Sequence, residues 1–154
     1  TNDAASAITR LLDLGVPSYL LTATVIGVLA QRLVRTLCRH CKEPDPTLTA
    51  EALAQALPGW SQADVTGGRF EPYKPVGCLD CRMTGYRGRS GLFELLTMDE
   101  AVRGSVAEPM DLARVRRQAL AQGLTPLRLA GLRKVAQGMT TLDEVLRATP
   151  DFTR

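Results

Sequence analysis

Four cysteines fall in two identical C-x-x-C pairs, Cys38-Arg39-His40-Cys41 and Cys78-Leu79-Asp80-Cys81, and there is no fifth. A C-x-x-C turn can aim two sulfurs at one ion, so two such turns supply the four thiolates of a closed tetrahedral zinc shell with bonds of about 2.3 Å. Residues 42 to 77 separate the pairs, a longer gap than the roughly 15–20 residues of common double-knuckle sites. The intervening segment must then form a small lobe, clipped at its base by the metal. A redox or disulfide role is the competing reading, but a thioredoxin-like site needs one pair at a strand-to-helix turn and leaves the second pair without a purpose. Haem attachment would need a histidine directly after a pair, where Lys42 and Arg82 stand. His40, the only histidine, could replace one thiol as ligand, although four thiolates already close the shell. No open position remains for Lewis-acid chemistry, so the metal is expected to be a structural staple.

The elements that position these residues can be read from caps and periodicity. Asn2 or Asp3 caps a first helix with apolar positions Ala4, Ala7, Ile8, Leu11 and Leu12 and a stop at Gly15. Pro17-Ser18 opens a second, longer helix to about Leu37, which would deliver Cys38 to the metal. Inside the lobe, Leu48 to Leu57 reads as a short helix with a threonine cap and a stop at Pro58-Gly59, covered by Trp60. Phe70 to Lys74 reads as a short extended piece. Thr84 to Gly91 is expected to be a loop, with glycines every three residues beside Arg87 and Arg89. Leu92 to Leu96 then reads as a strand covered on both faces, with its sheet neighbours expected before residue 1. Four capped helices follow, one from Asp99 to Ala107, one from Asp111 to Gln122, one opened by Thr125-Pro126 and stopped by Gly138, and one opened by the capping box Thr141-Leu142-Asp143-Glu144. Short connections between them predict a compact bundle. The fold class is therefore mainly α with little β.

Composition narrows the function. The chain has 154 residues, 45% of them hydrophobic, enough to bury a core. Its formal charge is +3 with 5% aromatics, which offers neither a phosphate-tracking stripe nor a stacking platform, so nucleic acid is not an expected partner. The longest apolar run, Leu20 to Ala30, is too short and too interrupted to span a bilayer. Paired thiols without an export signal favour the cytoplasm, and a first residue other than methionine suggests a cut inside a longer protein. No G-x-x-x-x-G-K-[ST] loop, H-E-x-x-H or G-x-S-x-G occurs, so these residues alone show no catalytic constellation.

Several stretches in one order carry a family resemblance: Ala30 to Cys38, Gly77 to Cys81, Thr84-Gly85-Tyr86-Arg87-Gly88-Arg89, Gly91 to Leu96, Gly131 to Val135, and Gly138 to Val145. Together the chain resembles the C-terminal part of the secretion ATPases of type II secretion and type IV pilus assembly, over nearly its whole length. Thr1-Asn2-Asp3 fits the residues just after that family's His-box histidine. The resemblance implies the C-terminal end of a RecA-like ATPase domain. Residues 1–37 would be the last helices of the ATPase core, 38–90 a tetracysteine zinc lobe, 91–98 a strand returning to the core sheet and 99–149 a C-terminal helical bundle. It implies Zn²⁺ on Cys38, Cys41, Cys78 and Cys81, and ATP with Mg²⁺ bound by the full-length protein. It also implies a homo-hexamer, cytoplasmic and peripheral at the inner membrane, working a membrane platform protein. The Walker A lysine, acidic box and Walker B glutamate have no counterparts in these residues. Arg89 is expected near the nucleotide, because an arginine on a segment entering the nucleotide-binding sheet can reach phosphates. Arg39, Met83 and Leu129-Ala130 depart from the family's usual proline, glycine and charged pair. A non-enzymatic zinc-stapled adaptor for protein segments is the alternative reading.

Overall fold

The computed structural model describes residues 2–152; Thr1, read above as the residue just after a His-box histidine, lies outside them. The described residues form eight helices and four strands, a mainly α fold with little β. In chain order they are α1 (Ala4–Asp13), α2 (Ser18–Thr24), β1 (Gly27–Leu37), β2 (Glu43–Pro44), α3 (Ala50–Gln55), α4 (Gln62–Thr66), β3 (Tyr73–Lys74), β4 (Tyr86–Thr97), α5 (Glu100–Ser105), α6 (Leu112–Ala121), α7 (Leu127–Ala136) and α8 (Leu142–Ala148). They divide into two units, one of residues up to Ala30 with Phe93–Pro126, the other of Gln31–Leu92 with the residues from Leu127 on.

In the first unit, the Asp3 side chain accepts the Ser6 N–H at 3.1 Å and caps α1. The Ala4 N–H donates to the buried Glu94 carboxylate at 2.7 Å, and a negative charge there also suits the helix dipole. Gly15, at φ 96°, follows the last turn. Helix α1 lies on α6, and α6 on α5. Ile8, Leu21, Leu96, Val102 and Val115 fill the space between them with almost no exposure, each contributing about 1.5–3 kcal/mol by leaving water. Arg116 on α6 returns to Asp3 at 2.9 Å.

The long helix expected from Pro17 to Leu37 is not formed. It stops at Thr24, and Gly27–Leu37 is a strand whose even-numbered positions from 28 to 36 turn inward. The cause is local: Val25, Ile26 and Val28 are β-branched around Gly27, all poor in a helix and, glycine apart, good in a strand. The strand expected at Leu92 begins earlier, at Tyr86, so most of the glycine-arginine loop is extended. One partner is β1, inside the chain. Hydrogen bonds from Met98 N–H to Ile26 O and from Cys38 N–H to Gly85 O, at opposite ends of the pair, make the strands antiparallel. Nor is it covered on both faces. Leu92, Glu94 and Leu96 are buried while Phe93 and Leu95 are 52% and 57% exposed.

The second unit holds the lobe. Thr49 caps α3 as expected, and a full capping box of Ser61 and Asp64 starts α4. Strands β2 and β3 pair antiparallel, Glu43 with Lys74 and Pro44 with Tyr73. Helix α7 contacts both α4 and α8 and is buried on most sides, at Leu127, Leu129, Leu132 and Val135 among others. Of the four helices over 99–149, α5 and α6 fall in the first unit and α7 and α8 in the second. Each pair has an apolar partner outside the four, α1 for α6 and α4 for α7. Thr141 caps α8, but the Glu144 carboxylate does not turn back to the cap. It accepts from Arg35 N–H at 2.8 Å and from Arg35 Nε at 2.9 Å, and Arg147 adds a further contact at 3.1 Å. Burial pushes the Glu144 carboxyl up, but the hydrogen bonds and charge of Arg35 outweigh it and leave the group below its usual value.

Candidate metal centre

Strand β1 ends at the first knuckle. Its last backbone groups are held by the Leu37 N–H donating to Met139 O and the Cys38 N–H to Gly85 O, both at 2.9 Å, and the Lys42 N–H closes the turn onto Cys38 O at 3.0 Å. The second knuckle closes in the same way, Met83 N–H onto Cys78 O at 2.8 Å and Thr84 N–H onto Cys81 O at 3.2 Å. Here the backbone is unusual. Arg82 and Met83 stand at φ 54° and 64°, the left-handed region that ordinary residues rarely enter. Gly85 follows at φ 82°, where an added Cβ would lie 2.5 Å from Pro75 Cβ, so only glycine fits that close approach.

These turns bring the four sulfurs to within 4.8 Å of one another. The Cys38–Cys78, Cys41–Cys81 and Cys78–Cys81 separations are each 3.8 Å. A tetrahedron with metal–sulfur bonds of about 2.3 Å has edges of about 3.8 Å, whereas a disulfide is about 2.05 Å long. All four are free thiols. Three backbone donors point at them: Gly77 N–H to Cys41 at 3.3 Å, and Cys78 and Gly85 N–H to Cys81 at 3.2 Å each. Burial opposes charge on Cys81, but the Cys78 and Gly85 N–H groups and the neighbouring thiols bring it down to about 6. Cys41 moves the other way: the Gly77 N–H pulls it down, yet burial and the three surrounding thiols win and raise it to about 11. The crowded thiols thus push Cys41 and Cys81 in opposite directions, and a dication among them would favour thiolates. The four cysteines could hold a metal ion, and the donor set and spacing fit zinc.

His40 is not part of the cluster. Its Nε2 lies 3.3 Å from an Asp80 oxygen, and the ring is 71% exposed. Asp80 also accepts from Arg87, whose guanidinium holds the carboxyl below its ordinary value. Arg89, the other loop arginine, is exposed on β4 and has no ion pair among the described residues. It lines a cleft with Arg39, His40, Lys42, Asp80 and Arg87. Two supports of the site were not apparent in the sequence. Lys42 donates to Gly138 O at 2.9 Å and sits 4.4 Å over the Tyr73 ring, tying the first knuckle to the end of α7. Asp80 joins the two knuckles through His40. In hindsight both were marked only by being charged residues inside or directly beside a C-x-x-C turn.

Residues 1–147 match the model of the type II/IV secretion system protein family, and the chain belongs to that family. It is 44% identical over 150 residues to the type IV pilus assembly ATPase TfpB of Acinetobacter baylyi, covering 97% of this chain and 25% of that protein. It is 44% identical over 152 residues to the type IV pilus assembly ATPase PilB of Thermus thermophilus, at 97% and 16% coverage. Against the type II secretion system protein E of Aeromonas hydrophila it is 43% identical over 150 residues, at 97% and 28%. The chain thus spans about a quarter or less of the length of the first two relatives and 28% of the third. No helix among the described residues is long and apolar enough to cross a membrane.

Proposed function

We propose that these residues are the C-terminal part of a hexameric ATPase, cytoplasmic and peripheral at the inner membrane, that powers type II secretion or type IV pilus assembly through a membrane platform protein. They carry one structural Zn²⁺ on Cys38, Cys41, Cys78 and Cys81. The observation that supports the metal is the sulfur tetrahedron, with three edges at the length zinc requires. The motor role rests on the family match. The first unit then closes a RecA-like core, residues 38–90 form the zinc lobe and residues 91–98 belong to the core sheet. ATP and Mg²⁺ are bound outside these residues, since no phosphate-cradling loop occurs in them. Arg89 is placed near the nucleotide, where a planar guanidinium stabilises transferring phosphoryl charge.

Two measurements test this reading. Metal analysis of protein purified without added metal should give close to one zinc per chain; no zinc, or two disulfides in the reduced protein, overturns the metal assignment. In the full-length protein, Arg89→Ala should lower kcat by far more than any change in stability, with little recovery by Arg89→Lys. Wild-type turnover in both variants removes Arg89 from the nucleotide. If the full-length protein holds zinc but turns over no ATP, the zinc-stapled adaptor takes the place of the motor.

A further inference from the structure

The cleft beside the knuckles has a volume of about 950 Å³ and draws its charges from three separate stretches: Arg39, His40 and Lys42 on the first knuckle, Asp80 on the second, Arg87 and Arg89 on β4. Basic residues outnumber acidic ones by five in residues 35–43 and 74–89 together, although the whole chain carries only +3. The rest of the chain is therefore net acidic, and positive charge is concentrated around the knuckles. Within the cleft the cations are not equivalent. Arg87 is committed to Asp80, and Lys42 to Gly138 O and the Tyr73 ring. Arg39 and Arg89 are exposed and have no ion pair among the described residues.

We propose that this cleft docks an acidic segment of a protein partner, with a carboxylate on Arg39. Charge complementarity names the sign of the occupant, and shape names its kind. A bilayer is too flat to reach cations set in a concavity, whereas one extended or helical segment can enter it. The one aromatic ring in the cleft wall is the imidazole of His40, which is engaged by Asp80, so a nucleotide base would find no Phe, Tyr or Trp platform there. Asp80 contributes a negative charge among the cations, which repels a dense polyphosphate more than spaced carboxylates. Leu79, the neighbour of Asp80, is 92% exposed, so an acidic segment that carries an apolar residue has a contact for it. This goes beyond the motor role, and Arg39 separates the two: it belongs to the docking cleft and has no part in the nucleotide reading.

The test uses the whole chain and a fluorescein-labelled decaglutamate peptide, followed by anisotropy over a salt series. Saturable one-to-one binding is expected, weakened about tenfold by Arg39→Glu, with zinc content and circular dichroism unchanged. Arg117→Glu, the same charge change at an exposed site on α6, should leave binding within about twofold of the wild type. If Arg39→Glu does not fold, Arg39→Gln serves, with about a threefold loss expected. Equal weakening by Arg39→Glu and Arg117→Glu, or no saturable binding at low salt, overturns the proposal. So does tighter, Arg39-dependent binding of inorganic tripolyphosphate or of phosphatidylglycerol vesicles.

Discussion

Replacing Gly131 by alanine puts the packing of the second unit to a quantitative test. Gly131 lies in α7, and a Cβ built there would stand 2.6 and 2.9 Å from the two γ-methyls of Val145 on α8, and 3.1 Å from Leu92 Cδ1 on β4. Carbon atoms in contact settle at about 3.5–4.0 Å, so α8 must recede by about 1 Å or Val145 must leave its rotamer. Valine in a helix has one strongly preferred χ1, and with both methyls inside 3 Å a rotation trades one clash for the other. Val145 and Leu92 are both fully buried, so no slack exists on the solvent side. Overpacking of this kind costs about 1–3 kcal/mol, and alanine recovers about 1 kcal/mol through its helix propensity. With three groups struck at once the cost belongs in the upper half of its range, for a net loss of about 1–2 kcal/mol. Urea unfolding followed by circular dichroism should show a lower midpoint with an unchanged slope. Adding Val145→Ala should then cost about 1 kcal/mol less than it does in the wild type, because the intruding methyl fills the space that valine vacates. A midpoint equal to or above wild type, or strict additivity of the two changes, refutes the reasoning.

Three further outcomes are expected. Burial pushes the Asp3 carboxyl up, but Arg116 and Ser6 outweigh it, so Asp3, like Glu144, titrates below its ordinary value when folded. The stability both contribute is complete above their unfolded values and lost as pH falls through their folded ones; the urea midpoint should drop below about pH 4.5, and Glu144→Gln should flatten part of that drop. Cys78→Ser should abolish metal retention and raise hydrogen exchange in the lobe and in α7, which lies against α4, while α1, α5 and α6 stay protected; uniform loss of protection would contradict two separable units. Met83→Gly should raise stability by about 0.5–1 kcal/mol, since a left-handed non-glycine costs about 1–2 kcal/mol and the greater freedom of unfolded glycine returns part of it; a fall in the urea midpoint would show that the exposed Met83 side chain packs usefully.

What could be read from the sequence was whatever is written in local chemistry. The cysteine spacing marked the four sulfurs that do come together, and the caps at Asp3, Thr49, Asp99, Asp111 and Thr141 marked real helix starts. Strand β1 escaped because Leu29 and Leu33 are apolar yet 60% and 46% exposed; with leucines on the outer face, the alternation resembles a helical stripe. The Ser61–Asp64 box escaped because α4 has only five residues, too few to show a period. Glu144 looked like half of a capping box and instead answers Arg35, 109 positions away. Long-range partners of this kind leave no periodic trace, and the cleft, which joins residues 39–42 to residues 80–89, leaves none either.

The carboxylate of Glu94 at the start of α1 has a consequence for synthesis on the ribosome. Ala4 and Glu94 are 90 positions apart, and Asp3 and Arg116 are 113 apart. At about 5–20 residues per second, the first helix emerges several seconds before the acid that receives its leading N–H, and longer still before its arginine. During that interval the apolar side of α1 has neither Leu96 nor Val102 nor Val115 to lie against. Both units are discontinuous in the chain, so the nascent first unit waits while the entire cysteine lobe is made and cannot close until β4 is out. The first unit therefore closes only once β4 and α6 have left the ribosome, with the cysteine lobe already made.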